Sequence, residues 1–358
     1  MRKTKLSRRM ALSGIGAGLV AAPMIAKGAA AQQSVSWKMA TGWPGGPLMD
    51  IGAKAFAEKI EFLTEGRIKV QVFPGGALGN ALKVPETVKN GVAECGHTWM
   101  GYDWGAQVTT TLFGGYAGSF DTERMLHWLY EGGGAELQRQ FREETAGVIS
   151  IPLFIRTAEV FLHSRKPVRT LADLQGLKIR TAGAWLDMTR ALGAAPVTTA
   201  GGEIYPALER GVIDATEWGT LWENISPGFY KVAKYLIIPG VHQPTAPFEL
   251  VINKAAWDKL SPRDKKLVEQ AAKLVTFESW LKIGQEDARS LDVYRKAGNE
   301  IIELDPEVQY KVKEIADKWA DEQAQKDAWF KKVLESQRQF EKMWAGADRY
   351  RKVLVKGS

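Results

Sequence analysis

ALERGVIDATEW, residues 207–218, has a counterpart earlier in the chain: TVKNGVAECGHTW, residues 87–99. Each starts as a helix end carrying charge, passes through a glycine suited to the left-handed residue that closes a helix, and runs into a brief apolar strand. A second pair follows the same logic. GRIKVQVFPGGALG, residues 66–79, alternates Ile68, Val70 and Val72 after a glycine and ends in a Pro-Gly turn, and GLKIRTAGAWLD, residues 176–187, repeats it with Leu177, Ile179 and Thr181. Two strand–helix–strand units recurring about 110 to 120 residues apart predict two similar α/β lobes.

The stretches between these units have helical spacing. LMDIGAKAFAEKIEFLTEG places Ile51, Phe56, Ile60 and Leu63 on one face, and the run from Ser261 opens with a serine cap and Pro262 at the first helical position. The tail from Pro306 to about Trp344 is also helical, with Ile315, Trp319, Phe330, Leu334 and Phe340. That many apolar side chains exceed what a solvated tail requires, so the tail should pack on the body or on a partner.

The first 31 residues read as an export leader: a basic start, a modest apolar stretch, and the small residues Ala29, Ala30 and Ala31 before the cut. Arg8-Arg9 followed by Met10 and Leu12 resembles a twin-arginine signal, which implies export of a folded protein. A membrane anchor is the rival reading, but the apolar part is shorter than the roughly 20 residues a spanning helix needs. The whole chain carries 48 Lys+Arg against 41 Asp+Glu. Loss of the leader's Arg2, Lys3, Lys5, Arg8, Arg9 and Lys27 leaves the mature chain at +1, which removes the charge argument for a nucleic-acid partner. The single cysteine, Cys95, sits in a strand-like run and reads as a small core residue. His97, His127, His163 and His242 are scattered without metal-ligand spacing, which argues against a zinc site. Phosphate-loop and serine-nucleophile motifs are missing.

One feature demands chemistry. Asp214, Glu217 and Glu223 lie among Val212, Ile213, Trp218 and Trp222. A carboxylate held between apolar residues must be paired, protonated or bound to a cation.

GLKIR (176–180), followed by GAAPVTTAGGEIYPALERGVIDATEW (193–218), resembles the core of the DctP-type solute receptors of TRAP transporters, and EGRIKVQVFPGGALG and VKNGVAE fit the same family. ATEWGTLWEN, GFYKVAKYLIIPG and WFKKVLESQRQF are similar to the branch that binds 2-oxo acids and related monocarboxylates. The resemblance implies a two-lobed periplasmic binding protein fold, type II-like, with a hinge and long C-terminal helices. The lobes would comprise 32–158 with about 247–300, and 159–246; the segment 305–358 would be helical and serve dimerisation, as in a branch that exchanges this helix between subunits. It further implies a periplasmic receptor that captures a small carboxylate, such as pyruvate or a lactate-like hydroxy acid, and delivers it to a membrane permease.

The same resemblance assigns residues. Arg180, ending the GLKIR strand, would bind the ligand carboxylate, a role suited to a planar guanidinium that makes two parallel charge-assisted bonds. Tyr102 would place its hydroxyl on the ligand. Glu217 and the Trp218 carbonyl would hold a metal ion touching the ligand, joined by Glu159 and Gln243, where the branch's more usual order of amide and acid is exchanged. An oxygen set of this kind suits Na⁺ or Ca²⁺. Trp43, Trp99, Trp185 and Trp222 are candidate apolar walls, and Asp214 is structural because Glu94 recurs in its place in the other unit. The competing class is an exported lyase or hydrolase using Arg180 as substrate anchor and Glu217 as base; it lacks a second acid–base partner or nucleophile at suggestive spacing.

Overall fold

The computed structural model describes residues 34–351; the leader reading for 1–31 lies outside the described residues. The strands are β1 (Val35–Thr41), β2 (Ile68–Phe73), β3 (Cys95–Thr98), β4 (Val148–Arg156), β5 (Leu162–Ser164), β6 (Lys178–Arg180), β7 (Ala195–Val197), β8 (Ala215–Thr216), β9 (Tyr235–Ile238), β10 (Ala246–Asn253) and β11 (Glu300–Glu303). They form a five-stranded sheet ordered β2-β1-β3-β10-β4 and a six-stranded sheet ordered β11-β9-β5-β8-β6-β7. The architecture is two α/β lobes, one per sheet, with long C-terminal helices.

The repeated sequence units become repeated structure. Helices Val84–Lys89 and Ile204–Glu209 end at Gly91 (φ 72°) and Gly211 (φ 73°), which take the left-handed conformation that a side chain would oppose. β3 and β8 follow; β8 lies beside β6, which begins its unit, whereas β3 lies beside β1, so β2 takes the outer place that β7 takes in the second sheet, and the 66–79 and 176–187 strands are not equivalent in position. The matched acids do the same job in each lobe: Glu94 accepts from the Lys38 amide at 2.7 Å, and Asp214 from the Lys178 amide at 3.0 Å. Asp214 also pairs with Lys166, and these contacts, working against its partial burial, hold its carboxyl below the usual range.

The chain crosses between lobes from β4 into β5 and returns from β9 into β10, so two antiparallel neighbours, β4 and β10, lie at the junction. Phe154 in β4 takes φ 84°, a costly conformation for an aromatic residue, and the register opposite it shifts between Pro247 and Glu249. The amides this bend frees from the ladder are taken up by Thr276 and Ser279, whose hydroxyls accept from Phe154 and Ile155 at 3.1 and 3.0 Å.

Those hydroxyls belong to helix Pro262–Lys296, capped by Ser261 with Pro262 first. At 1.5 Å per residue it is about 50 Å long, enough to span both lobes. Its first half buries Val268, Ala271, Ala272 and Val275 under the first sheet. Its second half reaches the other lobe, where the Tyr294 hydroxyl donates to the Leu221 carbonyl at 2.6 Å. This span explains why β11 pairs with β9 in the second sheet, beyond the 159–246 segment that the sequence suggested for that lobe.

The tail forms helices Pro306–Ala324 and Ala328–Arg351. Trp319, Phe330, Val333, Leu334 and Phe340 are buried in a cluster shared with Phe113, Trp128 and Phe141. Each such burial is worth about 1.5 to 3 kcal/mol, so this part of the tail is held to its own chain, while Tyr310 and Met343 stay exposed.

Candidate functional site

Two arginines end two strands at the mouth between the sheets. Arg180, last in β6, is 1 % exposed; its Nε and Nη2 donate to the Thr199 carbonyl at 3.1 and 2.8 Å and its Nη1 to the Glu217 carbonyl at 3.3 Å. Its guanidinium lies over the Trp218 ring, 5.3 Å from the centroid. Arg156, last in β4, donates from Nη1 to Glu223 at 2.8 Å and from Nη2 to the Trp218 carbonyl at 3.1 Å, and its Nη2 also engages Glu159.

The acids sit between these cations. Glu217 follows β8 directly, and its Oε1 accepts from the Ala182 amide at 2.9 Å and lies 3.6 Å from Arg180 Nη1. Glu159 is fixed through its backbone, bridged to Gly240 and donating to the Gln243 carbonyl at 3.1 Å, while its Oε2 meets His242 Nε2 at 3.1 Å. Burial would raise the Glu159 carboxyl, but Arg156 and His242 outweigh it and hold it below the ordinary range. Glu223 goes the other way: burial dominates over the pull of Arg156 and pushes its carboxyl up.

Gln243 spends both amide hydrogens on the carbonyls of Gly114 and Thr245, at 2.9 and 2.7 Å, which leaves its oxygen as an acceptor. Tyr102, in the turn Met100–Asp103 after β3, packs edge-on against Trp99 with centroids 5.3 Å apart. Burial raises its hydroxyl pKa, against the opposing pull of Arg180 in front of it.

One cavity gathers these groups. Arg180, Tyr102, Glu159, Glu217, Trp218 and Gln243 line it together with Arg156, His242, Phe248, and the rings of Trp43, Trp99 and Trp185. Trp222 does not line it; its amide donates to Asp287 of the long helix. Oxygen or nitrogen atoms of Glu159, Glu217 and His242 lie within 4.8 Å of one another, near enough to share one cation. With the Gln243 oxygen and the Trp218 carbonyl, these residues would hold a metal, and four of the five donors are the hard oxygens that Na⁺ or Ca²⁺ takes.

Three members escaped the sequence reading. Arg156 ends VISIPLFIR, and a charged residue closing so apolar a strand was the available local signal; Arg180 was assigned through the family resemblance. Glu223 belonged to the acidic group that posed the question, but its partner is 67 positions away. His242 has no local signature, since it reaches Glu159 only through the pairing of two loops.

Residues 39–327 match the family DctP, bacterial extracellular solute-binding protein, family 7. The chain belongs to the DctP family. It is a solute-binding receptor of the TRAP transporter type, not an enzyme. Among its relatives, a monocarboxylate 2-oxoacid-binding periplasmic protein of Nostoc sp. is 31 % identical over 314 residues, covering 86 % of this chain and 85 % of that one. A TRAP transporter solute-binding protein from Bordetella bronchiseptica, a mixed-occupancy dimer with copurified calcium and picolinate, superposes with a TM-score of 0.85 at 26 % identity, covering 89 % of this chain and 95 % of that one. One from Pseudoalteromonas atlantica with bound sodium and pyruvate gives 0.83 at 25 % identity, covering 90 % and 100 %. No helix among the described residues is long and apolar enough to cross a membrane.

Proposed function

We propose that this DctP-family receptor captures a small monocarboxylate, a 2-oxo acid such as pyruvate or a lactate-like hydroxy acid, together with Na⁺ or Ca²⁺, and delivers it to a TRAP permease. The observation that carries the reading is the joint burial of the Arg180 guanidinium, one half of a carboxylate clamp, beside Glu159, Glu217 and Gln243 in one cavity. Charge supports the ion. The two guanidiniums of Arg156 and Arg180 are matched by Glu159 and Glu217, so a carboxylate entering alone brings an uncompensated negative charge, whereas one entering beside a cation does not. Bound pyruvate with sodium in the Pseudoalteromonas relative accords with this chemistry.

The leader residues 1–31 would direct export, by the twin-arginine route, to the periplasm. Assembly as a homodimer belongs to the same reading: Tyr310 and Met343 leave apolar surface exposed on the tail, and the Bordetella relative is a dimer. Light scattering at micromolar concentration tests it, and a monomeric mass would refute it.

The ligand is tested by calorimetry on the mature protein with pyruvate and lactate, first in chelator-treated sodium-free buffer and then with either ion restored. The expected result is stoichiometric binding that strengthens with the ion and forms no product. Absence of binding to every 2-oxo and 2-hydroxy acid tried would overturn the proposal.

A further inference from the structure

Beside the cavity that holds Arg180 lies a second one, lined by Glu223 but by neither arginine. The inner cavity is the smaller of the two. Among the described residues only Leu48 and Trp218 line both, so their side chains form the partition. Leu48 opens the helical segment Leu48–Lys54 after β1 in the first lobe and Trp218 lies two residues past β8 in the second, and both belong to one buried apolar cluster. The partition therefore exists only when the lobes meet.

We propose that Leu48 and the Trp218 indole set the permitted length of the ligand's carbon chain, closing the site around a pyruvate-sized acid and shutting a longer chain out of the outer cavity. This rests on the 2-oxo acid reading above. The indole is held in place from two sides: Arg180 lies over its face, and its edge lies against Gly201, where a Cβ would come within 2.2 Å of the ring. A ring so confined cannot swing aside to admit a tail without disturbing the carboxylate-binding guanidinium. Leu48 makes no such polar contact and is the softer half of the wall.

The lining of the outer cavity decides which longer ligand would enter if the wall were cut. Pro44, Pro47, Tyr205 and Pro227 present mostly apolar surface, and the one acid there, Glu223, is engaged by Arg156 at 2.8 Å. An aliphatic tail gains by burial in this space, whereas a second carboxylate would face Glu223 and find no free cation. The structure thus assigns the chain-length filter to apolar contact and the exclusion of dicarboxylates to Glu223.

The test is calorimetry with pyruvate, 2-oxooctanoate and 2-oxoglutarate, in buffer containing Ca²⁺ or Na⁺, on the mature wild type, Leu48→Ala and Trp218→Ala. Wild type should prefer pyruvate to 2-oxooctanoate by about tenfold or more, the discrimination that apolar pockets achieve over small steric differences. Leu48→Ala should narrow that preference by about tenfold, Trp218→Ala further, and neither should gain 2-oxoglutarate. A side chain fits at Gly202, whose added Cβ would meet only Pro44 at 3.9 Å, so adding Gly202→Val to Leu48→Ala should narrow the outer cavity and reduce the gain. Wild type accepting both monocarboxylates within about threefold, or a folded Leu48→Ala with the wild-type ratio, would overturn the filter while leaving the 2-oxo acid reading intact. Should Trp218→Ala fail to fold, Leu48→Ala and its Gly202→Val revertant decide alone. Failure of folded wild type to bind any of the three acids would overturn both proposals together.

Discussion

Replacing Arg180 by alanine probes the site at its centre, because the side chain serves the ligand and the fold at once. On the ligand side, deleting one partner of a desolvated charge pair costs about 2 to 5 kcal/mol, which predicts a loss of affinity from about 30-fold to several thousand-fold. On the protein side, Arg180 is 1 % exposed and supplies three hydrogen bonds, two to the Thr199 carbonyl and one to the Glu217 carbonyl. Leaving buried acceptors without donors costs about 1 to 3 kcal/mol each, though water entering the emptied space recovers part of it. The variant should therefore fold, with a measurably lower melting temperature, and should lose the further rise in melting temperature that the ligand gives wild type. Arg180→Lys separates the two effects. It keeps the charge but not the planar fork, so its stability should stand nearer to wild type while its affinity remains impaired. The assay is calorimetric titration beside thermal melts with and without pyruvate and cation. Affinity of Arg180→Ala within about threefold of wild type would refute the reasoning, because no desolvated guanidinium–carboxylate contact is that weak.

Glu217→Gln retains shape and one acceptor oxygen but removes a charge, so the concentration of Ca²⁺ or Na⁺ needed for ligand binding should rise, and by linkage the ligand affinity at fixed ion should fall; titrations at several ion concentrations that coincide for wild type and variant would remove the metal. His97 and His163 are buried neutral, with pKa pushed down by burial to about 3 from 6.5. The unfolded chain then binds the extra protons, so stability is present above pH 6.5 and falls as pH drops toward 3, by up to about 1.4 kcal/mol per unit for each histidine. Urea unfolding between pH 7 and 5 should show this slope, and a curve flat over that range would contradict it. Arg142→Met removes the donor to Glu249 and Asp103, the residue beside Tyr102, and leaves a fully buried carboxylate unpaired. The expected cost is about 3 to 5 kcal/mol of unfolding free energy, read in urea at neutral pH, and a loss under about 1 kcal/mol would show that water reaches Glu249.

Much of this molecule was legible from local pattern. The matched pairs 87–99 with 207–218 and 66–79 with 176–187 foretold two α/β lobes, because the period of apolar residues and the glycine at a helix end act over a few positions and survive any tertiary context. Glu217 stood out by local pattern, an acid among apolar residues, and Arg180 by the GLKIR motif that the family resemblance rests on. The tertiary structure alone decided what faces them. Arg156 joins Glu223 across 67 positions, and His242 reaches Glu159 across 83, by pairing that no window of sequence contains. It also decided that Trp319, Phe330 and Phe340 of the tail are covered by their own chain while Tyr310 is not, and that β11 belongs to the second sheet. Covalent neighbours determine which conformations a segment favours. The meeting of Leu48 with Trp218 depends on two lobes closing over one another, and that is set by packing between segments remote along the chain.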